Sequence, residues 1–334
     1  MYRMYNSVFR YRSVLLLTAA TVVAGMAACS SDGNVTPTNA PVGQQTISPP
    51  TQSAQMFKGN IEIDGSSTVF IITQAVAEEF RKTNPGVQVP VGISGTGGGF
   101  KRFINGETDI SDASRPMTVA EADLAKKNGI EYIELAIAYD GLSVIVNKAN
   151  TFVSCLTTAE LKNIWNTGSA VKAWSEVRPG FPANPIRLYG PGTDSGTFDY
   201  FTEVINGKAK QSRADFTASE DDNVLVQGIA GDKGSLGYFG FAYFEENQDK
   251  MKLVSVDSGK GCILPSTQTI NEGAYAPLSR PLFIYVSKKA LGRPEVKAFV
   301  EYYLKNGAKL AAEVGYVALP AKSYDDGLAK IKQP

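Results

Sequence analysis

The sequence predicts an α/β protein with mainly parallel sheets and a sizeable core. From residue 57 onward, short apolar strands, turns rich in glycine and hydroxyl side chains, and amphipathic helices follow one another repeatedly. Such alternation is typical of strand–helix–strand units, in which the crossover helix makes neighbouring strands parallel. The chain has 334 residues, of which 43% are hydrophobic and 20% are charged. This composition is that of a globular protein, and the length is enough for about two domains.

Strands are predicted where apolar residues alternate with polar ones, or form a short run bounded by turn residues. The predicted strands cover residues 61–63, 87–93, 132–139, 142–147 and 186–189. Asp140 and Gly141 lie between the third and the fourth strand, and a glycine-rich turn over residues 94–99 follows the second.

Helices are predicted where apolar residues recur three and four positions apart behind a capping residue. Capping-box patterns occur at Thr118 with Glu121 and at Thr157 with Glu160, and Ser195 is a further N-cap. The predicted buried faces comprise Val69, Ile72, Val76 and Phe80, then Leu161 and Trp165, then Phe198, Phe201 and Ile205, and finally Val296, Phe299, Val300, Tyr303 and Leu304. The last of these helices is predicted to end at Gly307.

The absence of histidine from the sequence excludes several kinds of site. A Ser-His-Asp hydrolase, a Cys-His protease, a histidine-ligated zinc site and a histidine proton shuttle all require an imidazole ring. The chain has 33 basic and 33 acidic side chains, so it has no net positive field with which to bind nucleic acid or a membrane surface. We therefore expect no nucleic-acid partner, no cofactor and no metal site, and chemistry that relies on hydroxyls, carboxylates, amines and backbone groups.

The N-terminal segment has the pattern of a secretory signal peptide. Three arginines within residues 1–12 precede an apolar run over residues 14–28, which is shorter than a membrane-spanning helix needs to be. The run ends in Met-Ala-Ala-Cys and resembles a bacterial lipoprotein signal, in which Cys29 is lipidated and becomes the new N-terminus. The methionine departs from the usual Leu or Val at its position, and the alternative is cleavage without lipidation. The sequence predicts export, with residues 1–28 removed.

The segment after the signal peptide differs in composition from the rest of the chain. Residues 29–56 are rich in Ser, Thr, Asn, Pro and Gln and have few apolar side chains. Such a segment cannot bury enough apolar surface to fold, so we expect a flexible tether. The folded part then begins at residue 57.

Two cysteines, Cys155 and Cys262, lie in the folded part. In an exported protein they are expected to form a disulfide, because the compartment outside the inner membrane is oxidising. The alternatives are a metal site and two unpaired buried thiols.

Three turns share a design that favours the binding of an anion. In each of them a strand ends, glycine and hydroxyl residues follow, and a helix begins; the turns span residues 64–68, 94–99 and 192–197. Free backbone N–H groups and a hydroxyl then lie at the positive end of a helix dipole, and glycine lets a ligand approach the backbone. None of the turns has the Gly-Lys-Ser/Thr ending of a nucleotide-binding loop. A small tetrahedral oxyanion is therefore the expected ligand.

Three further side chains fit an oxyanion. Ser114 and Arg115 place a hydroxyl beside a guanidinium, which can bind an oxyanion through two N–H groups; the alternative is a solvated arginine at the end of a strand. Asp140 lies between two apolar strands, where a carboxylate needs a partner or a function. It would repel sulfate, but it can accept the proton that phosphate still carries at neutral pH.

Five motifs carry a resemblance to a known family. They are Gly-Ser-Ser-Thr at residues 65–68, Gly-Thr-Gly-Gly-Gly-Phe-Lys at 95–101, Asp-Ala-Ser-Arg-Pro at 112–116, Thr-Asp-Ser-Gly-Thr at 193–197 and Pro-Leu-Ser-Arg-Pro at 277–281. In this order they resemble the phosphate-binding lipoprotein, or periplasmic component, of the bacterial high-affinity phosphate ABC transporter. The likeness covers nearly all of residues 57–334.

The resemblance implies a type II periplasmic-binding-protein fold, in which two α/β lobes joined by a two-segment hinge close on a ligand in the cleft. The crossing segments should lie near residues 135–144 and 276–283. Lobe one is then formed by residues 57–141 with 281–334, and lobe two by residues 142–280. Both cysteines of the expected disulfide fall in lobe two, so closure is not hindered.

Position by position, the resemblance implies a set of phosphate-binding residues. They are Thr68, Val69, Thr96, Ser195, Gly196 and Thr197, with Ser94 as an alternative to Thr96. To these we add Ser67, Ser114, Arg115 and Asp140 from the residues of this chain. Two positions depart from the best-known branch of the family: Pro191 stands where that branch has an arginine, and Ser114 where it has the aspartate that discriminates phosphate. We therefore expect Arg115 to supply the positive charge and Asp140 the proton acceptor, with Asp112 as the alternative acceptor.

The function implied by the resemblance is that of a monomeric, non-enzymatic receptor. It would capture inorganic phosphate outside the inner membrane, in the periplasm or at the cell surface, and deliver it to the permease and ATPase subunits of the transporter. Two other classes stay open: a hydrolase of phosphate esters that uses Ser195 beside Asp194, and the same fold binding sulfate or molybdate or serving as a surface phosphate sensor or adhesin.

Overall fold

In a computed structural model of the protein, residues 57–193 and 195–332 are described, and they form a mixed α/β fold. The predicted signal peptide, the tether and the lipidation site Cys29 lie outside the described residues. Within that described part, none of the helices is long and apolar enough to cross a membrane.

The strands of the described residues are β1 (Gly59–Asn60), β2 (Ile63–Gly65), β3 (Val87–Gln88), β4 (Val91–Gly92), β5 (Ile110–Ala113), β6 (Tyr132–Asn147), β7 (Cys155–Thr157), β8 (Arg187–Pro191), β9 (Thr217–Ser219), β10 (Ser235–Gly240), β11 (Met251–Leu253), β12 (Ser255–Asp257), β13 (Cys262–Ile263) and β14 (Ser279–Ser287). The helices are α1 (Ser67–Thr83), α2 (Gly95–Ile104), α3 (Val119–Lys127), α4 (Thr158–Trp165), α5 (Gly196–Phe201), α6 (Asp222–Gly231), α7 (Phe241–Glu246), α8 (Thr267–Asn271), α9 (Lys288–Leu291), α10 (Pro294–Glu313) and α11 (Ala321–Lys330). A 3₁₀ turn covers Trp174–Glu176, and the π-helical segment Thr202–Asn206 continues α5.

The two longest strands, β6 and β14, form the centre of a nine-stranded sheet. Its order is β4-β2-β5-β14-β6-β10-β8-β9, and β11 also pairs with β6. The outer pairs β2–β4, β2–β5, β8–β10 and β8–β9 are parallel, as predicted. Every pair that includes β6 or β14 is antiparallel, because the chain leaves the first half of the sheet along β6 and returns along β14 in the opposite direction. The prediction of mainly parallel sheets is therefore wrong for the centre of the sheet.

Strand β6 joins the two strands predicted over residues 132–139 and 142–147 into one. The backbones of Asp140 and Gly141 pair with β14, opposite Arg280 and Ser279, so the ladder continues through two residues that favour a turn. This pairing across the sheet overrides the local preference of the chain.

The strand predicted over residues 87–93 is divided into β3 and β4. Pro90 lies between the two short strands and has no N–H group to donate to a ladder. Strand β3 therefore pairs with β1, and β4 pairs with β2 in the main sheet. The glycine-rich turn predicted over residues 94–99 is also replaced, because α2 begins at Gly95.

Helix α10 continues past Gly307, where an end was predicted. A Cβ atom at this position would lie 3.0 Å from Cε1 of Tyr324 in α11. The glycine lets two helices pack closely, and it does not terminate the first one.

Two large hydrophobic clusters fill the two halves of the sheet. One packs α1 and α10 against β2, β5 and the first part of β6, and the other packs α4, α5 and α6 against β8, β10 and the second part of β6. Every residue of the predicted apolar helix faces is buried. The capping boxes at Thr118 and Thr157 and the N-cap at Ser195 are confirmed.

The disulfide expected between Cys155 and Cys262 is present. It joins β7 to β13, which lie on either side of β12 in a three-stranded sheet. The bond links chain segments that are 107 positions apart.

Replacement of both cysteines by alanine should lower the free energy of unfolding by at most about 4–5 kcal/mol, because the unfolded chain then loses a long closed loop. Denaturant unfolding of the double variant, of oxidised wild type and of reduced wild type measures the effect. Reduced wild type should match the variant; a variant as stable as the oxidised protein would contradict the prediction.

Candidate functional site

The N-terminus of α1 lies at the end of β2, where Ser66 is the N-cap and its hydroxyl faces the N–H of Val69. Thr68, in the first turn, is only 3% exposed. Its backbone carbonyl accepts a hydrogen bond of 2.9 Å from the Tyr316 hydroxyl, which holds this turn against the C-terminal part of the chain. The free N–H groups at this end of a 17-residue helix are a site of positive potential.

A second helix N-terminus meets the first one. Ser195 is the N-cap of α5 and accepts a hydrogen bond of 3.2 Å from the N–H of Thr197. Gly196 lies so close to Thr68 that a Cβ atom on it would be 2.9 Å from the threonine Oγ1 and 3.1 Å from its Cα. Two turns that the sequence singled out for anion binding, 128 positions apart, thus face each other, and only glycine fits at their contact.

The guanidinium of Arg280 lies beside this contact. Its Nε and Nη2 donate hydrogen bonds of 3.3 Å to Oδ2 of Asp140, and Nη2 donates one of 3.1 Å to Oγ1 of Thr68. The guanidinium carbon lies 3.6 Å from the centre of the Tyr200 ring, on its face. The Tyr200 hydroxyl donates a hydrogen bond of 2.6 Å to the carbonyl of Pro277, which fixes the ring that supports the arginine.

Asp140 is 2% exposed, and Arg280 is its only hydrogen-bond donor among the described contacts. Burial raises the pKa of this carboxyl, and the neighbouring guanidinium offsets part of the increase. Burial thus favours the protonated form of this carboxyl, whereas Arg280 favours the ionised form, which can accept a hydrogen bond from a ligand.

The first turn of α2 places Thr96 next to Ser114. The Thr96 hydroxyl lies 3.0 Å from the Ser114 hydroxyl and accepts a hydrogen bond of 3.1 Å from the Ser114 N–H. The two expected site residues of α2 and of the loop after β5 are thus brought together.

Arg115 pairs with a carboxylate of the neighbouring helix α3. Its two terminal nitrogens donate hydrogen bonds of 2.8 and 2.9 Å to the carboxylate of Glu121, at the start of α3. Its side chain is 42% exposed and lies over the Phe100 ring. The guanidinium that contacts Asp140 is that of Arg280, a residue to which the sequence interpretation gave no role.

The sequence does contain a signal for Arg280. The tripeptide Ser-Arg-Pro occurs twice, at residues 114–116 and 279–281, and the second copy lies in an expected crossing segment. Only that copy lies opposite Asp140 in the register of β14 and β6.

Asp64 positions the start of α2. Its carboxylate, 3% exposed, accepts a hydrogen bond of 2.9 Å from the N–H of Ser94 and another from Arg102 at the far end of the helix. Within α2, a Cβ atom on Gly99 would lie 2.5 Å from Cα of Gly65. These contacts hold α2, with Thr96 in its first turn, against the turn that begins α1.

Asp112, the alternative acceptor, lies in β5. Its carboxyl is fully buried, and neither oxygen has a hydrogen-bond partner among the described residues. Burial raises the pKa of Asp112 to about 8, and the charge of Asp64 adds to the increase. The nearby hydroxyl of Thr73 in α1 offsets part of it, although it does not have the geometry of a hydrogen bond to either oxygen. The carboxyl is thus neutral over most of the physiological range, which makes it a poor acceptor for a ligand's proton.

The described residues contain no group of three or more cysteine, aspartate and glutamate side chains that could hold a metal ion. The chemistry of the site is that of N–H groups, hydroxyls, one guanidinium and one carboxylate. Such a set can bind a small oxyanion and can accept one hydrogen bond from it.

Comparison with known proteins also indicates a ligand-binding protein. Residues 35–306 match the family model of the PBP superfamily domain. Over 278 residues the chain is 52% identical to Protein SphX of Synechococcus elongatus, and the match covers 82% of both chains. Over 277 residues it is 43% identical to the phosphate-binding protein PstS of Staphylococcus saprophyticus, covering 82% of this chain and 85% of the relative.

A solved structure is similar over the same range. The crystal structure of "a possible phosphate binding protein" from Planctomyces limnophilus has 53% sequence identity and a TM-score of 0.80, and the match covers 82% of this chain and 98% of that one. The chain is therefore a substrate-binding protein of the PBP superfamily, with the type II fold that the resemblance implied. Within that superfamily it belongs to the family of the phosphate-binding protein PstS.

The buried carboxyl of Asp112 predicts a pH dependence of stability. Because its pKa rises from 3.8 in an unfolded chain to about 8 in the folded protein, the folded state binds this proton more tightly. The resulting stability is fully present below about pH 4 and is lost as the pH rises through 8. Asp112→Asn keeps the neutral shape, so its stability relative to wild type should rise between pH 5 and pH 9, by no more than about 4 kcal/mol.

Denaturant unfolding of both proteins at pH 5, 7 and 9 measures this difference. An equal difference in the free energy of unfolding at the three values would show that Asp112 does not titrate as described.

Proposed function

We propose that this protein captures inorganic phosphate outside the inner membrane and delivers it to an ABC permease for import. The observation that carries the proposal is the convergence of two helix N-termini on one guanidinium and one buried carboxylate. The relatives named phosphate-binding proteins support it. The proposed ligand residues are Ser67, Thr68, Val69, Thr96, Ser114, Asp140, Ser195, Gly196, Thr197 and Arg280.

In this proposal Arg280, and not Arg115, supplies the positive charge of the site. Arg280 is 16% exposed and already contacts Thr68, an expected ligand, whereas Arg115 is paired with Glu121 and is 42% exposed. Nε and Nη2 of Arg280 make its hydrogen bonds to Asp140 and Thr68, so Nη1 can donate to a phosphate oxygen while the contact with Asp140 is kept.

Asp140 is proposed as the residue that distinguishes phosphate from sulfate. Its ionised carboxylate accepts a hydrogen bond from the protonated oxygen of phosphate, whereas sulfate at neutral pH carries no proton and is repelled. The raised pKa of the carboxyl means that this function is lost at low pH, once Asp140 itself binds a proton.

The proposed lobes are residues 57–141 with 281–334, and residues 142–280. The long pair β6 and β14 would then contain the two crossing segments, and the contact between Gly196 and Thr68 would join the two lobes. Ligand contacts made from both sides favour closure, since the anion binds the closed form more tightly than the open one.

The remaining features of the proposal concern the rest of the protein. We propose a monomer that is not an enzyme, exported by residues 1–28 and held at the periplasmic or cell-surface side of the inner membrane by a lipid on Cys29. The permease and ATPase subunits of a phosphate ABC transporter are the proposed partners.

Arg280→Gln should lower phosphate affinity by about 100-fold, on the order of 3 kcal/mol, because a charge-assisted donor is lost and Asp140 loses its partner. Arg115→Gln, the matched control, should change the affinity by less than about threefold. Calorimetric titration with phosphate measures both variants. A larger loss in Arg115→Gln than in Arg280→Gln would restore the assignment made from the sequence.

Asp140→Asn should narrow the preference for phosphate over sulfate by at least about tenfold, because the amide can donate to sulfate and removes the repelling charge. The ratio of wild-type to variant phosphate affinity should fall as the pH decreases, since only wild type loses its acceptor; the ligand's own ionisation cancels in that ratio. Calorimetric titrations with both anions between pH 5 and 8 test this. Equal binding of phosphate and sulfate by wild type would exclude the phosphate assignment.

A further inference from the structure

The guanidinium of Arg280 has a second acidic neighbour. Glu203, in the helical segment after α5, has its Oε2 atom 4.0 Å from Nη1 of Arg280. Nη1 is the terminal nitrogen that makes none of the hydrogen bonds to Asp140 and Thr68. Glu203 is 61% exposed at its side chain, whereas Arg280 is 16% exposed, so the carboxylate approaches the arginine from the solvent side.

Glu203 also acts on groups on both sides of the contact between the helix N-termini. The hydrogen bonds that Arg115 donates to Glu121 chiefly raise the pKa of Arg115, and the charge of Glu203 adds to the increase. Burial chiefly raises the pKa of Tyr200, whose ring supports Arg280, and Glu203 adds to that as well. The carboxylate thus lies near both arginines, one from each proposed lobe.

Among these groups the positive charges do not outnumber the negative ones. Arg115 and Arg280 face three carboxylates: Glu121, Asp140 and Glu203. Two of these carboxylates make hydrogen bonds with their arginine, but Glu203 lies beyond hydrogen-bond distance and makes none with Arg280. Its structural contribution is small, and its electrostatic effect on an approaching anion remains.

We propose that Glu203 is a charge-selecting residue of the anion site, which disfavours anions that carry a second anionic group, such as pyrophosphate, relative to orthophosphate. This inference rests on the proposed function of the site. The repulsion between Glu203 and a ligand grows with the ligand's charge, and a second phosphoryl group would extend toward the exposed side where Glu203 lies. A single orthophosphate, enclosed by the helix N-termini, is affected least.

The test is calorimetric titration of wild type, Glu203→Gln and Glu203→Asp with orthophosphate and with pyrophosphate at pH 8. Removal of the charge should increase orthophosphate affinity by about threefold and pyrophosphate affinity by about tenfold at 0.05 M salt. Both gains should shrink at 0.5 M salt, where exposed charges are screened. Glu203→Asp keeps the charge and should retain the wild-type discrimination.

The matched control is Glu313→Gln, which also replaces an exposed glutamate paired with a cation, Lys309 at 3.5 Å. It lies at the C-terminal end of α10, and it should leave both affinities unchanged. Thermal unfolding of each variant checks that the fold is intact, which is expected because both glutamates are more than half exposed.

Equal gains for the two anions, no gain for pyrophosphate, or the same gain in Glu313→Gln would overturn the role of Glu203 and leave the proposed function standing. If wild type does not bind orthophosphate at all, the proposed function fails, and the role of Glu203 fails with it.

Discussion

The ion pair between Arg280 and Asp140 is the interaction on which the site depends. It connects neighbouring positions of the two central strands, β14 and β6, at the point where the two halves of the sheet meet. The same guanidinium reaches Thr68 at the start of α1 and rests on Tyr200 of α5. One side chain therefore contacts the start of α1, the Tyr200 ring of α5 and both central strands, and any shift between these elements changes the site.

Burial explains why this pair is built as it is. An ionised carboxylate inside a protein is unstable unless a charge and hydrogen bonds compensate its loss of water. Asp140 has a guanidinium for this purpose and can remain an acceptor. Asp112 is equally buried but has no such partner, and it meets the same constraint by holding its proton. Two aspartates that look alike in the sequence thus have different chemistry.

Close approach of backbone segments is the second constraint on the site. Gly196 at Thr68 and Gly99 at Gly65 lie where no side chain could fit. The sequence interpretation found these glycines and assigned them to anion-binding turns, but it read the segment of Gly99 as a turn instead of a helix. A local sequence pattern shows where a glycine lies. It does not show why glycine is needed there, because the residue that leaves no room for a side chain is far away in the chain.

The sequence by itself determined the α/β class, the buried helix faces, the capping residues and two of the three turns, because these follow from spacing over a few residues. The tertiary structure alone decided which of two identical Ser-Arg-Pro tripeptides has its arginine in contact with Asp140. Arg115 lies six positions from Glu121 and pairs with it locally. Arg280 meets Asp140 only because the register of β14 and β6 brings together residues that are 140 positions apart, and no local pattern encodes that register.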